Sequence, residues 1–116
     1  MELTNTHLRY LLAIYDLAQS GGVVSSAQIA AALGVSKPSV ARMLSILAER
    51  ELVEKASYGK VALTEQGTAA ARQYGERLRQ LADRLPALGL DLSREEIDAA
   101  AGALAAALPE RCFGAG

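Results

Sequence analysis

Ser36, Lys37, Pro38, Ser39 and Arg42 crowd into the front of one short segment, GVSKPSVARMLSILAER. Hydroxyls, an ammonium and a guanidinium at this spacing suit contact with phosphate oxygens and base edges, not bond-breaking chemistry. Ser36, Ser39 and the backbone N–H groups of a helix start can hold phosphate oxygens. Arg42 has the length and the fork to read guanine or to grip a phosphate, and Pro38 can touch a thymine methyl. Tyr58 and Lys60 stand further on in SYGK, a turn that can reach the sugar–phosphate backbone or the next minor groove. Together these residues point to double-stranded DNA as the partner.

Such residues work only if the chain holds a helix end-on to the duplex, and the surrounding sequence is organised to do so. Thr4 or Asn5 can cap a first helix with an apolar stripe at Leu8, Leu11, Leu12, Tyr15 and Ala18, stopped by Gly21-Gly22. Ser25 or Ser26 caps a short second helix that turns Ile29, Ala30 and Leu33 inward. Gly34 supplies a left-handed turn at no steric cost. Ser36 then caps a third helix with Pro38 in its first turn and Val40, Met43, Leu44 and Leu47 buried. Ala30 is small enough for a close helix crossing, and Val40 locks the pair. Leu52-Val53 and Val61-Leu63 read as a two-stranded hairpin turned at Gly59. Thr64 caps a long helix reaching about Leu85, broken by Pro86 and Gly89. Ser93-Arg94-Glu95-Glu96 is a capping box opening a last helix that Pro109 ends.

The expected fold is mainly α: a winged helix-turn-helix with a two-stranded wing over residues 1–66, then a helical dimerisation region over residues 67–116. Leu78, Leu81, Leu85, Ile97, Leu104 and Leu108 are more apolar surface than a winged helix covers alone, so a homodimer is expected.

The net charge of −1 hides an asymmetry. Residues 36–60 are net positive through Lys37, Arg42, Arg50, Lys55 and Lys60, while residues 85–110 are strongly acidic. Local charge decides the partner here, because phosphate neutralisation needs only a few well-placed cations per subunit. With one cysteine, Cys112, a disulfide framework or Cys-rich zinc site is excluded. No apolar run approaches the roughly 20 residues that span a bilayer, and no signal peptide is visible, so a cytoplasmic protein without a membrane partner is expected. No nucleophile–base pair, phosphate loop or paired-carboxylate pocket stands out. We read no enzyme and no small-molecule substrate.

Residues 10–67 resemble the iron- and manganese-dependent repressors of the DtxR/MntR family, through YLLAIYDL, IAAALGVSKPSVARML and YGKVALTEQG. LGLDLSREEIDAAAGALAAALPE is loosely similar to that family's dimerisation region. The resemblance implies a homodimer on a palindromic operator, with Ser36, Pro38, Ser39 and Arg42 approaching bases or phosphates. It also implies a divalent transition metal, Mn²⁺ or Fe²⁺, as cofactor. The implied ligand positions hold Arg9, Leu12, a residue near Leu78, and about Gly102, Ala105 and Ala106, none of which can hold a cation. We therefore expect no metal; His7, Asp98, Glu110 and Cys112 are the nearest donors, and His7, near a terminus, is expected to be solvated. Arg9 is either a plain surface arginine or a bridge to an acid such as Asp98. A MarR-like regulator of small organic ligands, a non-DNA-binding partner of a metal-sensing paralogue, and a metal sensor with relocated ligands remain alternatives.

Overall fold

The computed structural model describes residues 3–21 and 23–113. The chain divides into two compact units, Met1–Arg72 and Gln73–Gly116.

In the first unit the caps read from sequence form the helix starts. Helix α1 (Asn5–Ala18) begins at Thr4, whose Oγ1 accepts the His7 N–H at 3.2 Å while the Thr4 N–H donates to His7 Nδ1 at 3.1 Å. Its inward face is His7, Tyr10, Leu11 and Ile14. That face is rotated by about one residue from the expected stripe, leaving Leu8, Leu12 and Tyr15 half-buried at its edge. The capping contact draws His7 inward, and Tyr10 and Ile14 follow it on the same helix face.

Strand β1 (Val24–Ser25) leads into α2 (Ser26–Leu33), where Ser25 and Gln28 exchange side-chain and backbone hydrogen bonds. Gly34 takes φ 67°, and the N–H of Val35 reaches back to the Ala30 carbonyl at 3.1 Å. This closes the α2 end and turns the chain into α3 (Lys37–Glu49), capped by Ser36. Val40, Leu44 and Leu47 of α3 join Leu11, Ile14, Val24, Ile29, Leu52, Val53 and Val61 in one continuous core.

Helix α3 ends with the same device as α2, but with Glu51 at φ 61° in place of glycine. The Glu51 and Leu52 N–H groups return to Ala48 and Leu47 at 3.0 and 2.9 Å. Strands β2 (Val53–Lys55) and β3 (Lys60–Leu63) follow, with Val53 opposite Leu63 and Lys55 opposite Val61. The sheet has three strands in the order β1-β3-β2, not the expected two, because Val24 pairs with Val61 and Ser25 with Lys60.

Helix α4 (Glu65–Arg84) starts against this sheet. Thr64 holds it there: its Oγ1 donates to the Glu51 carbonyl at 2.7 Å and accepts the Gly67 N–H at 3.0 Å. A Cβ at Gly67 would lie 1.9 Å from the Leu52 carbonyl oxygen, so only glycine permits this approach.

In the second unit α4 runs on to Arg84, a 3₁₀ turn spans Leu85–Leu88, and α5 (Arg94–Ala107) opens at the Ser93–Glu96 capping box. Tyr74, Leu85, Ala101 and Ala105 are buried. The Arg77 guanidinium lies 4.2 Å from the centre of the Phe113 ring.

Candidate nucleic-acid interface

The first turn of α3 is a chain of hydrogen-bonded hydroxyls with a guanidinium at its end. The Ser36 Oγ accepts the Ser39 N–H at 3.2 Å and lies 2.9 Å from the Ser39 Oγ. Arg42 Nη2 donates to that Ser39 hydroxyl at 3.4 Å. Ser36, Lys37, Pro38 and Arg42 are exposed, and Ser39 is half-buried. The arrangement modifies one expectation. Pro38 has no N–H and the Ser39 N–H is already capped, so this helix start has little backbone donor capacity for phosphate. Side chains must supply it: the Lys37 ammonium, the hydroxyls and the Arg42 fork. The bond restraining Arg42 is long, so it orients the side chain and costs little to exchange.

The wing lies in the same unit. The Ala56 N–H donates to the Lys60 carbonyl at 2.7 Å, and Tyr58 and Gly59 take φ 63° and 70° in succession. These consecutive left-handed residues turn the tip outward and leave Tyr58 97% exposed. Ser26 Oγ donates to the Gly59 carbonyl at 3.1 Å, fixing the tip to the start of α2. Lys60 is exposed beside it.

Ser45 escapes the sequence reading, and Lys55 enters it only as a charge. Lys55 Nζ donates to Ser45 Oγ at 2.9 Å, linking the wing base to the exposed face of α3 one turn beyond Arg42. A signal for the surface was present: no Asp or Glu occurs from residue 17 to residue 48.

The expected dimerisation residues are not equivalent in the folded chain. Leu78, Leu81, Ile97 and Leu104 are half-buried, and Leu108 is exposed. Leu85 is buried within its own chain and is not free surface. Leu88 and Leu90, at 69% and 53% exposure, are the prominent apolar groups that sequence reasoning passed over.

Residues 2–61 match the family described as iron dependent repressor, N-terminal DNA binding domain. The chain belongs to the iron-dependent repressor family. It is 37% identical over 81 residues to the transcriptional regulator MntR of Escherichia coli, covering 70% of this chain and 52% of MntR. It is 36% identical over 100 residues to the iron-dependent repressor IdeR of Mycobacterium tuberculosis, covering 86% of this chain and 43% of IdeR. The chain thus spans about half the length of the curated relatives it matches. Among solved structures, IdeR of T. acidophilum superposes with a TM-score of 0.75 at 25% identity, over 97% of this chain and 52% of that one.

The family name implies a metal, and the side chains present do not fit one. Arg9 brings a permanent positive charge, and Leu12, Leu78, Gly102, Ala105 and Ala106 bring no donor atom. Among the described residues no three His, Cys, Asp or Glu side chains come together as a cation site. His7 is not the solvated residue expected from its place near the terminus. It is buried, its Nδ1 is engaged by the Thr4 N–H, and burial followed by the Arg50 charge holds its imidazole below the ordinary histidine value. Cys112 is a free, exposed thiol. Asp98 pairs with Arg94 on its own helix at 3.8 Å, while Arg9 lines a pocket beside α3. No helix among the described residues is long and apolar enough to cross a membrane.

Proposed function

We propose that this chain is a DNA-binding transcriptional repressor that acts as a homodimer on a palindromic operator and needs no metal. The observation that carries the reading is that the first turn of α3 and the wing tip, residues 56–60, present no acidic side chain. Lys37, Arg42 and Lys60 present cations there, with Ser36, Ser39 and the exposed Tyr58 between them. Inserted into a major groove, α3 brings Arg42 to base edges and Pro38 to a thymine methyl, while Lys37 and the hydroxyls engage phosphate. Lys60 and Tyr58 take the flanking backbone or minor groove. Two copies double the phosphate contacts, which compensates for the small number per subunit.

The second unit supplies the pairing surface. Leu78, Leu81, Ile97, Leu104 and Leu108 remain the proposed contacts, with Leu88 and Leu90 added for their exposure. The role is regulatory, not catalytic, and its site is the cytoplasm. Metal independence rests on the donor-free side chains at the implied ligand positions.

Metal-stripped protein offered random duplexes should select a palindrome with half-sites about one helical turn apart, roughly 10 base pairs. Adding Mn²⁺, Fe²⁺ or Zn²⁺ should leave operator affinity and melting temperature nearly unchanged. A true site at a hundredfold excess over its dissociation constant would add about 2.7 kcal/mol to stability. Failure to select any sequence contradicts the DNA reading, and a metal-dependent affinity gain of tenfold or more contradicts metal independence.

A further inference from the structure

A pocket of about 380 Å³ opens between α1 and α3, wholly within the first unit. Tyr10, Val35, Met43 and Ile46 give it an apolar lining, and Thr6, Arg9, Ser39 and Arg42 contribute its polar groups. None of its lining residues is acidic. Arg9 and Arg42 make no ion pair among the described residues, and Arg42 is restrained only by the 3.4 Å bond to Ser39. Ile46 remains 40% exposed there, a large apolar side chain left open to water.

Two uncompensated guanidiniums beside an apolar lining are complementary to one kind of small molecule: an apolar body carrying a single anionic group. A guanidinium grips a carboxylate in a fork geometry that an uncharged amide does not match. The volume lies in the ordinary range for small-molecule sites, roughly 300–1,000 Å³. Arg42 is also the residue proposed above to read the operator. Its guanidinium cannot serve a bound carboxylate and a base edge at once.

We propose that this pocket binds a small apolar monocarboxylate through Arg9 and Arg42, and that occupancy withdraws Arg42 from the operator. The ligand is an effector, not a substrate, and its effect on DNA rests on the proposed operator reading.

The test uses 1-naphthoate as probe, with neutral 1-naphthamide and inorganic phosphate as controls, on the full chain. Naphthoate should bind by calorimetry and raise the melting temperature of the free protein. Naphthamide should bind at least tenfold more weakly, and phosphate should not displace naphthoate. At ten times its dissociation constant, naphthoate should weaken operator binding about tenfold by competition. Arg9→Gln should bind operator normally in the absence of naphthoate, yet lose naphthoate binding and its effect on DNA. Equal binding of naphthamide, displacement by phosphate, or full naphthoate response in Arg9→Gln overturns the site. Naphthoate binding that leaves operator affinity unchanged overturns the competition. If no operator binds at all while Arg9-dependent naphthoate binding persists, the DNA reading fails and the pocket stands.

Discussion

The two units of this chain solve the problem of a small core differently. The first closes a continuous core from three helices and a three-stranded sheet, and fastens its turns with side-chain caps at Thr4, Ser25, Ser36 and Thr64. The second buries Tyr74, Leu85, Ala101 and Ala105 but leaves Leu88 and Leu90 largely in water. A unit whose core is closed in this way can devote exposed side chains to recognition. A unit with large apolar side chains left in water can be completed by another surface, and a second copy is the partner proposed above.

The sharpest way to break this contrast is a charge in the second unit. Leu104→Lys should give a helical monomer that loses roughly tenfold or more in operator affinity, because the second half-site no longer benefits from linkage. Sedimentation and circular dichroism read both halves of that outcome. A parent protein that is monomeric at micromolar concentration would remove the contrast altogether.

Within the first unit, Gly67→Ala should cost about 1–3 kcal/mol in denaturant unfolding, since the added methyl meets backbone rather than a movable side chain. An unchanged midpoint would mean that the α4 start is loosely seated.

A smaller effect concerns His7. Its folded value lies below 6.5, so the unfolded chain binds more protons between the two values. The His7 contribution is therefore complete above about pH 6.5 and is lost as pH falls through the folded value. Protonated Nδ1 also cannot accept the Thr4 N–H. His7→Gln keeps the capping-box chemistry and removes the titration, so its stability should vary less between pH 5 and 7 than that of the parent. Parallel pH profiles would show that His7 does not titrate in this window.

Much of the fold was legible because it is written in local punctuation. Ser25, Ser36 and Ser93 at helix starts, Gly34 at a helix end and Pro38 in a first turn each act within a few residues. What stayed hidden depends on distance in sequence. Strand β1 is two residues long and shows no period of its own; it exists because β3 pairs with it. Gly67 matters through Leu52, which no local pattern connects to it. The α1 stripe was misplaced because leucines outweigh a histidine on any apolar scale, although Thr-x-x-His at capping-box spacing was a usable clue. Leu85 and Leu88 are alike in sequence, and only the 3₁₀ turn buries one and exposes the other. In the candidate interface, residue types marked the first turn of α3. They did not reveal that the Ser39 hydroxyl stands between Ser36 and Arg42 or that Lys55 reaches Ser45.

The central claim is that the first turn of α3 reads bases while the wing grips the backbone. Operator affinity of the metal-stripped parent, Arg42→Ala and Lys60→Ala, measured against matched and single-base-substituted duplexes over a salt series, tests it most directly. Arg42→Ala should lose about 1–3 kcal/mol and become indifferent to one base of each half-site, whereas Lys60→Ala should weaken all duplexes alike and flatten the salt dependence. Parent-like affinity and discrimination in both variants would contradict the account.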